Sequence, residues 1–227
     1  MADAEAGPML YGEPVTPPRS APLDGRHPTK EDLARFASAE NFEDVLPAPG
    51  APPLRLLICG INPGLWTAAV NGPFGRPGNR FWPSLHRAGL TDHQVDASLG
   101  LSEADERMLA ERGIGITNLV RRATAKADEL SREELRIGAR ELVTRVQDLR
   151  PRAVAIAGIT AYRSAYEAPK AKLGRQESSS VPGWPEDVLL WVVPQPSGLN
   201  AHENIDTLAQ KWRVVWEHTD TPPTLET

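Results

Sequence analysis

The sequence predicts an α/β fold in which helices cover both faces of a mostly parallel sheet. Three observations lead there. Short apolar runs at 54–60, 153–158 and 188–193 have the length and composition of strands buried on both faces. Amphipathic segments stand between them, the clearest opening on the helix-start signature Ser131-Arg132-Glu133-Glu134. Strand and helix alternate along the chain, and right-handed crossovers turn that order into a layered sheet.

Residues 1–28 are rich in Pro, Gly and short polar residues without a period, and read as a flexible arm. Thr29 can cap a short helix through Phe36. The expected division is therefore an arm over 1–42 carrying that short helix, a main domain over 43–218, and a tail over 219–227. Pro47, Pro49, Pro52 and Pro53 stiffen the approach to the first strand, 54–60. A polar, glycine-rich loop, 60–79, follows it. Phe81, Leu85 and Ala88 recur at helical spacing, with Pro83 confined to the first turn. Ser102-Glu103-Ala104-Asp105 caps a helix to about Arg112, which Gly113 stops. Residues 115–120 form a short strand leading into a basic loop. Behind Ser131, the residues Leu135, Ala139, Leu142, Val143, Val146 and Leu149 make one apolar stripe of a helix to Arg150. After the 153–158 strand comes a short helix with Tyr162 and Tyr166, then a loop with a hairpin over 169–187. The 188–193 strand leads to a last helix starting at Asn200 or His202, with Ile205, Leu208, Ala209, Trp212 and Trp216 on one face.

Composition removes several function classes. The 227 residues are 40% hydrophobic and 24% charged, enough for a core. The single cysteine, Cys59, excludes a disulfide framework and a cysteine-held zinc or iron–sulfur site within this chain. No run of 18 apolar residues exists, so no membrane span is expected. The start, MADAEAGPML, is acidic and unlike a secretory signal, so the expected location is cytoplasmic, with the chromosome of a bacterial-type cell. The net charge of −5 is uneven. Residues 1–50 hold four basic and nine acidic side chains, whereas 51–90 hold Arg55, Arg76, Arg80 and Arg87 and no acid. A local positive face on a neutral body suits a polyanion, although four arginines in forty residues are also ordinary surface.

Two loops carry the chemistry, Gly60-Ile61-Asn62-Pro63-Gly64 and Pro194–Leu199. Both leave C-terminal ends of strands, the edge where such sheets bind ligands. The first lacks the spacing of a dinucleotide fingerprint and the Lys-Ser or Lys-Thr pair of a P-loop. What remains is an asparagine amide. Its carbonyl oxygen can hold a water and aim its lone pair, which suits a reaction whose bond breaks largely by itself. Asn62 can equally close an Asx-type turn. Phe74, among Gly72, Pro73, Gly75, Pro77 and Gly78, either anchors its loop or offers a face to a planar ligand. Leu199 is either a wedge between bases or a staple for the last helix.

Four blocks in register then make a specific resemblance. Gly60-Ile61-Asn62-Pro63-Gly64, Pro77-Gly78-Asn79-Arg80-Phe81-Trp82, Gly115-Ile116-Thr117-Asn118-Leu119-Val120 and Pro196-Ser197-Gly198-Leu199 resemble the mismatch-specific uracil/thymine-DNA glycosylases, the Mug/TDG branch of the uracil-DNA glycosylase superfamily. The likeness runs from about Glu43 to about Trp216. It implies a three-layer α/β/α sandwich with a central, mostly parallel sheet, needing no metal or organic cofactor. It also implies flipping of a damaged base from duplex DNA and hydrolysis of its N-glycosidic bond. By that resemblance Asn62 positions the attacking water, and Ile61, Gly64 and Phe74 line or stack on the base. Gly198 and Leu199 fill the space the base leaves, and Ser197 lies beside the DNA backbone, with Asn200 in the same loop. Asn118 resembles the thymine-active members, and either touches the base or water or ties down its loop.

The partner implied is double-stranded DNA with a G·U or G·T mismatch, bound by a monomer in base excision repair. A wobble pair is the cheap one to open, because flipping costs a few kcal/mol and least at a mismatch. Backbone amides can stabilise the departing base anion, and no lysine stands in the motifs for a lyase step. Arg76, Arg80, Arg121 and Arg122 are the candidates for phosphate contacts. The chain departs from the Mug type after Leu199, where Ala201 and His202 stand in place of an arginine. Ala68 and Ala69 suggest a small pocket wall that tolerates thymine or ethenocytosine, and Asp92 or Asp96 is a carboxylate that can assist. Two alternatives accompany this reading: a DNA-binding protein on the same scaffold without catalysis, and a glycosylase for another base such as hypoxanthine.

Overall fold

The computed structural model describes residues 19–48 and 50–220. Its strands are β1 (Leu56–Gly60), β2 (Ile114–Asn118), β3 (Ala153–Ala157), β4 (Gly174–Gln176) and β5 (Leu189–Val193). They make one sheet in the order β2-β1-β3-β5-β4, all parallel except β4, which pairs antiparallel with β5. The four parallel strands are buried on both faces almost throughout, which is why they read as continuous apolar runs.

The helices are α1 (Lys30–Arg35), α2 (Leu65–Val70), α3 (Phe81–Ala88), α4 (Glu103–Glu111), α5 (Arg132–Leu149), α6 (Ile159–Ala165) and α7 (Ile205–His218). Alternate side chains of each strand feed two cores. Leu56 and Ile58 pack with Phe81 and Leu85 of α3, Leu109 of α4 and Trp212 of α7. Leu57 and Cys59 pack with Leu142 and Val146 of α5 and Tyr162 of α6. This is the expected three-layer α/β/α sandwich. Burial of each such aliphatic side chain contributes roughly 1.5–3 kcal/mol. Cys59 is fully buried, and desolvation pushes its thiol up to about 12.

Helix starts follow the capping chemistry. Thr29, Ser102 and Ser131 each accept a hydrogen bond from an amide three residues on, and Asp32, Asp105 and Glu134 reciprocate. Four expectations need correction. The 60–79 loop contains α2, which begins on Gly64 without a side-chain cap and ends on Asn71 in the left-handed region, so it carries no start signal. The last helix begins at Ile205, after both Asn200 and His202, because Asn204 and Thr207 form its capping box.

The third correction concerns the arm. From Arg19 onward the segment is fastened to the body. The Arg19 guanidinium donates to Asn71 O at 3.3 Å, Asn71 Oδ1 at 3.0 Å and Asp44 O at 3.1 Å. Asn41 Nδ2 donates to Ala68 O at 2.9 Å, and Val45 exchanges backbone hydrogen bonds with Ile116 at 2.8 Å. A boundary at 42 therefore does not separate body from arm; residues 1–18 lie outside the described residues. Fourth, Thr219 is not tail. It is fully buried, and its carbonyl and hydroxyl accept from Arg152 and Arg55 at 2.9 Å each. Residues 221–227 lie outside the described residues. Among the described residues no helix is long and apolar enough to cross a membrane.

Candidate active site

Parallel strands place their C-terminal ends on one edge, so the segments after β1, β2 and β5 meet there. The chain after β1 and the chain after β2 run on side by side beyond the sheet. Leu119 N donates to Gly60 O, Val120 N to Ile61 O, both at 2.9 Å, and Thr124 N to Pro63 O at 3.2 Å. Helix α5 presses on this pair from behind. Gly138 lets it do so, since a Cβ there would lie 2.1 Å from Leu119 O. Arg145, also from α5, donates to Thr117 Oγ1 at 2.8 Å and Asn118 O at 3.2 Å, fixing the end of β2.

Asn62 stands in this paired segment. Its Nδ2 donates to Arg122 O at 2.9 Å and to Thr124 Oγ1 at 2.7 Å, and Thr124 Oγ1 passes its own proton to Lys126 O at 2.8 Å. A carbonyl only accepts, so the contact with Arg122 O assigns which end of the amide is nitrogen. With Nδ2 committed, Oδ1 is left as an acceptor that no described residue uses. Asn62 is half-buried, so that oxygen can meet a water. The Arg122 carbonyl is itself steadied, because Arg122 Nε donates to Glu134 Oε1 at 2.7 Å.

Two residues earlier, Gly60 ends β1 beneath Asn118 and Phe74. A Cβ on Gly60 would lie 2.4 Å from Asn118 Oδ1 and 3.3 Å from Phe74 Cζ, so both side chains close over a glycine. Asn118 is buried, and no described residue hydrogen-bonds its side-chain amide. Phe74 stacks on Phe81 with centroids 3.9 Å apart and planes at 21°. Its backbone is left-handed, at φ 53°, which costs free energy at a non-glycine residue. Close packing holds it there. Cβ atoms on Gly72 and Gly75 would lie 2.5 and 2.1 Å from Ala97 O, and Trp82 Nε1 donates to Pro73 O at 2.9 Å. The ring is half-buried, with Phe81 beneath it. Ile61 lies over Gly158, where a Cβ would meet Ile61 Cδ1 at 2.9 Å, and Gly64 faces open space. Ala68 and Ala69 are fully buried in α2 and so present no accessible pocket wall, contrary to expectation.

After β5 the chain turns sharply and lifts Leu199 to 86% exposure. It is no staple for the last helix. Ser197 Oγ accepts from Leu199 N at 3.2 Å, and Asn200 Nδ2 donates to Gln195 O at 3.0 Å, so Ser197 and Asn200 shape the turn. His202 is exposed, and its amide donates to Asn200 Oδ1 at 3.2 Å.

The four arginines separate into two kinds. Arg76 and Arg121 are exposed and pair with no acid among the described residues. Arg122 is tied to Glu134, and Arg80 donates to backbone carbonyls of the Leu199 loop. Asp92 pairs with Arg112, and Asp96 Oδ1 accepts from Ser98 N at 3.0 Å; neither touches Asn62. Sequence reasoning missed Thr124 and Arg145 as parts of the site. A glycine inside the apolar stripe of α5, Gly138, was the one visible sign of close approach.

The arrangement brings together a half-buried aromatic ring, the Asn118 amide, an Asn62 amide whose oxygen no described residue uses, and, on the loop after β5, an exposed leucine. A family model described as the uracil DNA glycosylase superfamily matches residues 47–218.

Proposed function

The chain belongs to the uracil DNA glycosylase superfamily, and from that premise we propose a monofunctional glycosylase that removes uracil from G mismatches in duplex DNA. Thymine and ethenocytosine opposite G are secondary substrates. The observation that carries the reading is the fixed amide of Asn62, whose Nδ2 is spent on Arg122 O and Thr124 Oγ1 while Oδ1 stays available.

Once flipped, the base slides onto Phe74 and meets the amide of Asn118 over Gly60. The bond from the sugar C1′ to the base nitrogen breaks with its electron pair leaving on the base, and positive charge develops on the sugar. A water held by its hydrogen bond to Asn62 Oδ1 then adds to C1′, and the proton it loses passes through solvent to the departed base anion, leaving an abasic sugar and a free neutral base. Asn62 need only orient that water, since an amide is no practical base near neutral pH. Leu199 occupies the space left in the stack, and Arg76 and Arg121 hold phosphates. The expected unit is a monomer acting in base excision repair.

Single-turnover cleavage of matched labelled duplexes bearing U·G, U·A, T·G, ethenocytosine·G or hypoxanthine·T tests this. U·G is expected to be fastest, and cleavage confined to another base would change the substrate. Asn62→Ala should lose on the order of 1,000-fold in rate while mismatch binding survives. Equal loss of binding would make Asn62 structural.

A further inference from the structure

We infer that Arg80 is a positioning residue that holds the Leu199 loop as a rigid wedge; the inference rests on the glycosylase reading above. Arg80 sits at the turn before α3, and its own amide donates to Pro196 O at 2.9 Å. Its Nη1 donates to Asn200 O at 2.8 Å and Glu203 O at 2.5 Å, and its Nη2 to Gly198 O at 3.0 Å. One residue thus grips the start, the apex and the end of the loop. Among the described residues, every hydrogen bond joining 196–202 to chain outside 194–204 comes from Arg80. Gly198 adds close packing, since a Cβ there would lie 2.6 Å from Gly78 O.

The remaining bonds of the loop are internal, from Asn200 N to Ser197 O at 3.0 Å and from Leu199 N to Ser197 Oγ. They give the turn its shape but do not attach it to the body. Attachment matters because an opened base pair tends to close again. A wedge on a loose loop must pay its ordering entropy while it opposes that closure, and a wedge already held does not. No described carboxylate lies within ion-pair distance of Arg80, and the Glu203 carboxylate is taken by Lys211 at 2.9 Å. The guanidinium is therefore committed to carbonyls, a role its planar fork fills and a lysine ammonium does not.

The test compares wild type, Arg80→Ala, Arg80→Lys, Leu199→Ala and the Arg80→Ala/Leu199→Ala double variant. Each is assayed under single turnover on U·G and on the same uracil opposite an abasic analogue, where no pair has to open. Arg80→Ala should lose about 30-fold on U·G, within the range that misplacement costs, and less than about 3-fold on the unpaired uracil. Arg80→Lys should fall between. Added to Leu199→Ala, the Arg80 change should cost almost nothing more, as expected when one residue acts through the other. Equal loss on both substrates, or additive loss, overturns the inference.

A second readout needs no catalysis. In the free protein, hydrogen exchange of amides over 197–203 should accelerate in Arg80→Ala while the sheet stays protected; no change would overturn the proposal. The slope of DNA affinity against salt should stay as in wild type. A fall of about 0.9 would mark a phosphate contact instead and overturn the wedge role. Inactivity of the wild type on every damaged base would sink the glycosylase reading, and the exchange result would still decide what Arg80 does to the loop.

Discussion

The loop that carries Asn62 and the loop that carries Leu199 leave the same edge of one sheet, yet they are held in opposite ways. The first is a continuation of the sheet: backbone pairs run from Gly60 O to Pro63 O against 119–124, and helix α5 lies behind. The second has left the sheet, exposes its apolar tip and, among the described residues, is hydrogen-bonded to the body through one residue, Arg80. On the proposed function, aiming a water tolerates little positional error, and that half is built into backbone paired with its neighbour beyond the sheet. Opening a duplex requires reach into solvent, which no sheet extension offers.

The contrast can be broken from either side. Gly60→Ala puts a methyl into the space between Asn118 and Phe74, and the rate should fall about 100-fold with little change in DNA binding; single-turnover kinetics and a binding isotherm check both. Leu199→Ala should cost about 50-fold on U·G, the size of part of a flipping cost of a few kcal/mol, and nothing on single-stranded uracil. A similar loss on both DNA forms would mean the two loops are not separable.

Charge comes next in size. Arg76→Ala and Arg121→Ala should each lower the slope of log affinity against log salt by about 0.9, with the rate on bound DNA unchanged. Titration of binding from low to physiological salt measures it.

The smallest effect concerns Glu134, whose carboxyl is held down to about 2, first by the Arg122 guanidinium and then by the Ser131 amide and hydroxyl. Its folded value lies below the unfolded one, near 4.3, so the pair is complete above that range and is lost as the pH falls toward 2. Asn62 itself touches no titratable side chain among the described residues. The rate should therefore be insensitive to Glu134 ionisation from pH 5 to 8, and Glu134→Gln should lose only about 2- to 3-fold, as expected for a hydrogen bond kept but no longer charge-assisted.

The two loops were also unequally legible in the sequence. Strand ends, capping boxes at Ser102 and Ser131 and the position of Asn62 follow from patterns within a few residues. Helix α2 does not, because six residues with an uncapped start leave no periodic signal. Arg80 read as a phosphate ligand because a sequence gives charge but not the carbonyls 120 residues away that satisfy it. The same holds for Arg19, whose partners Asn71, Glu43 and Asp44 fasten the chain from residue 19 onward to the body. Phe74 was visible as an odd aromatic in a glycine loop; its left-handed backbone, which sets the direction of the ring, was not.

The burial of Cys59 has a practical side. A thiol reacts as its thiolate, and one fully enclosed and raised to about 12 stays protonated and out of reach of labelling reagents in the native state. The chain therefore presents a blank surface to maleimide chemistry. A cysteine introduced beside the apex of the Leu199 loop, for example at Ala201, would take up a fluorophore at one place only. The dye would then report entry of the wedge into the duplex in real time, separately from bond cleavage at the other loop.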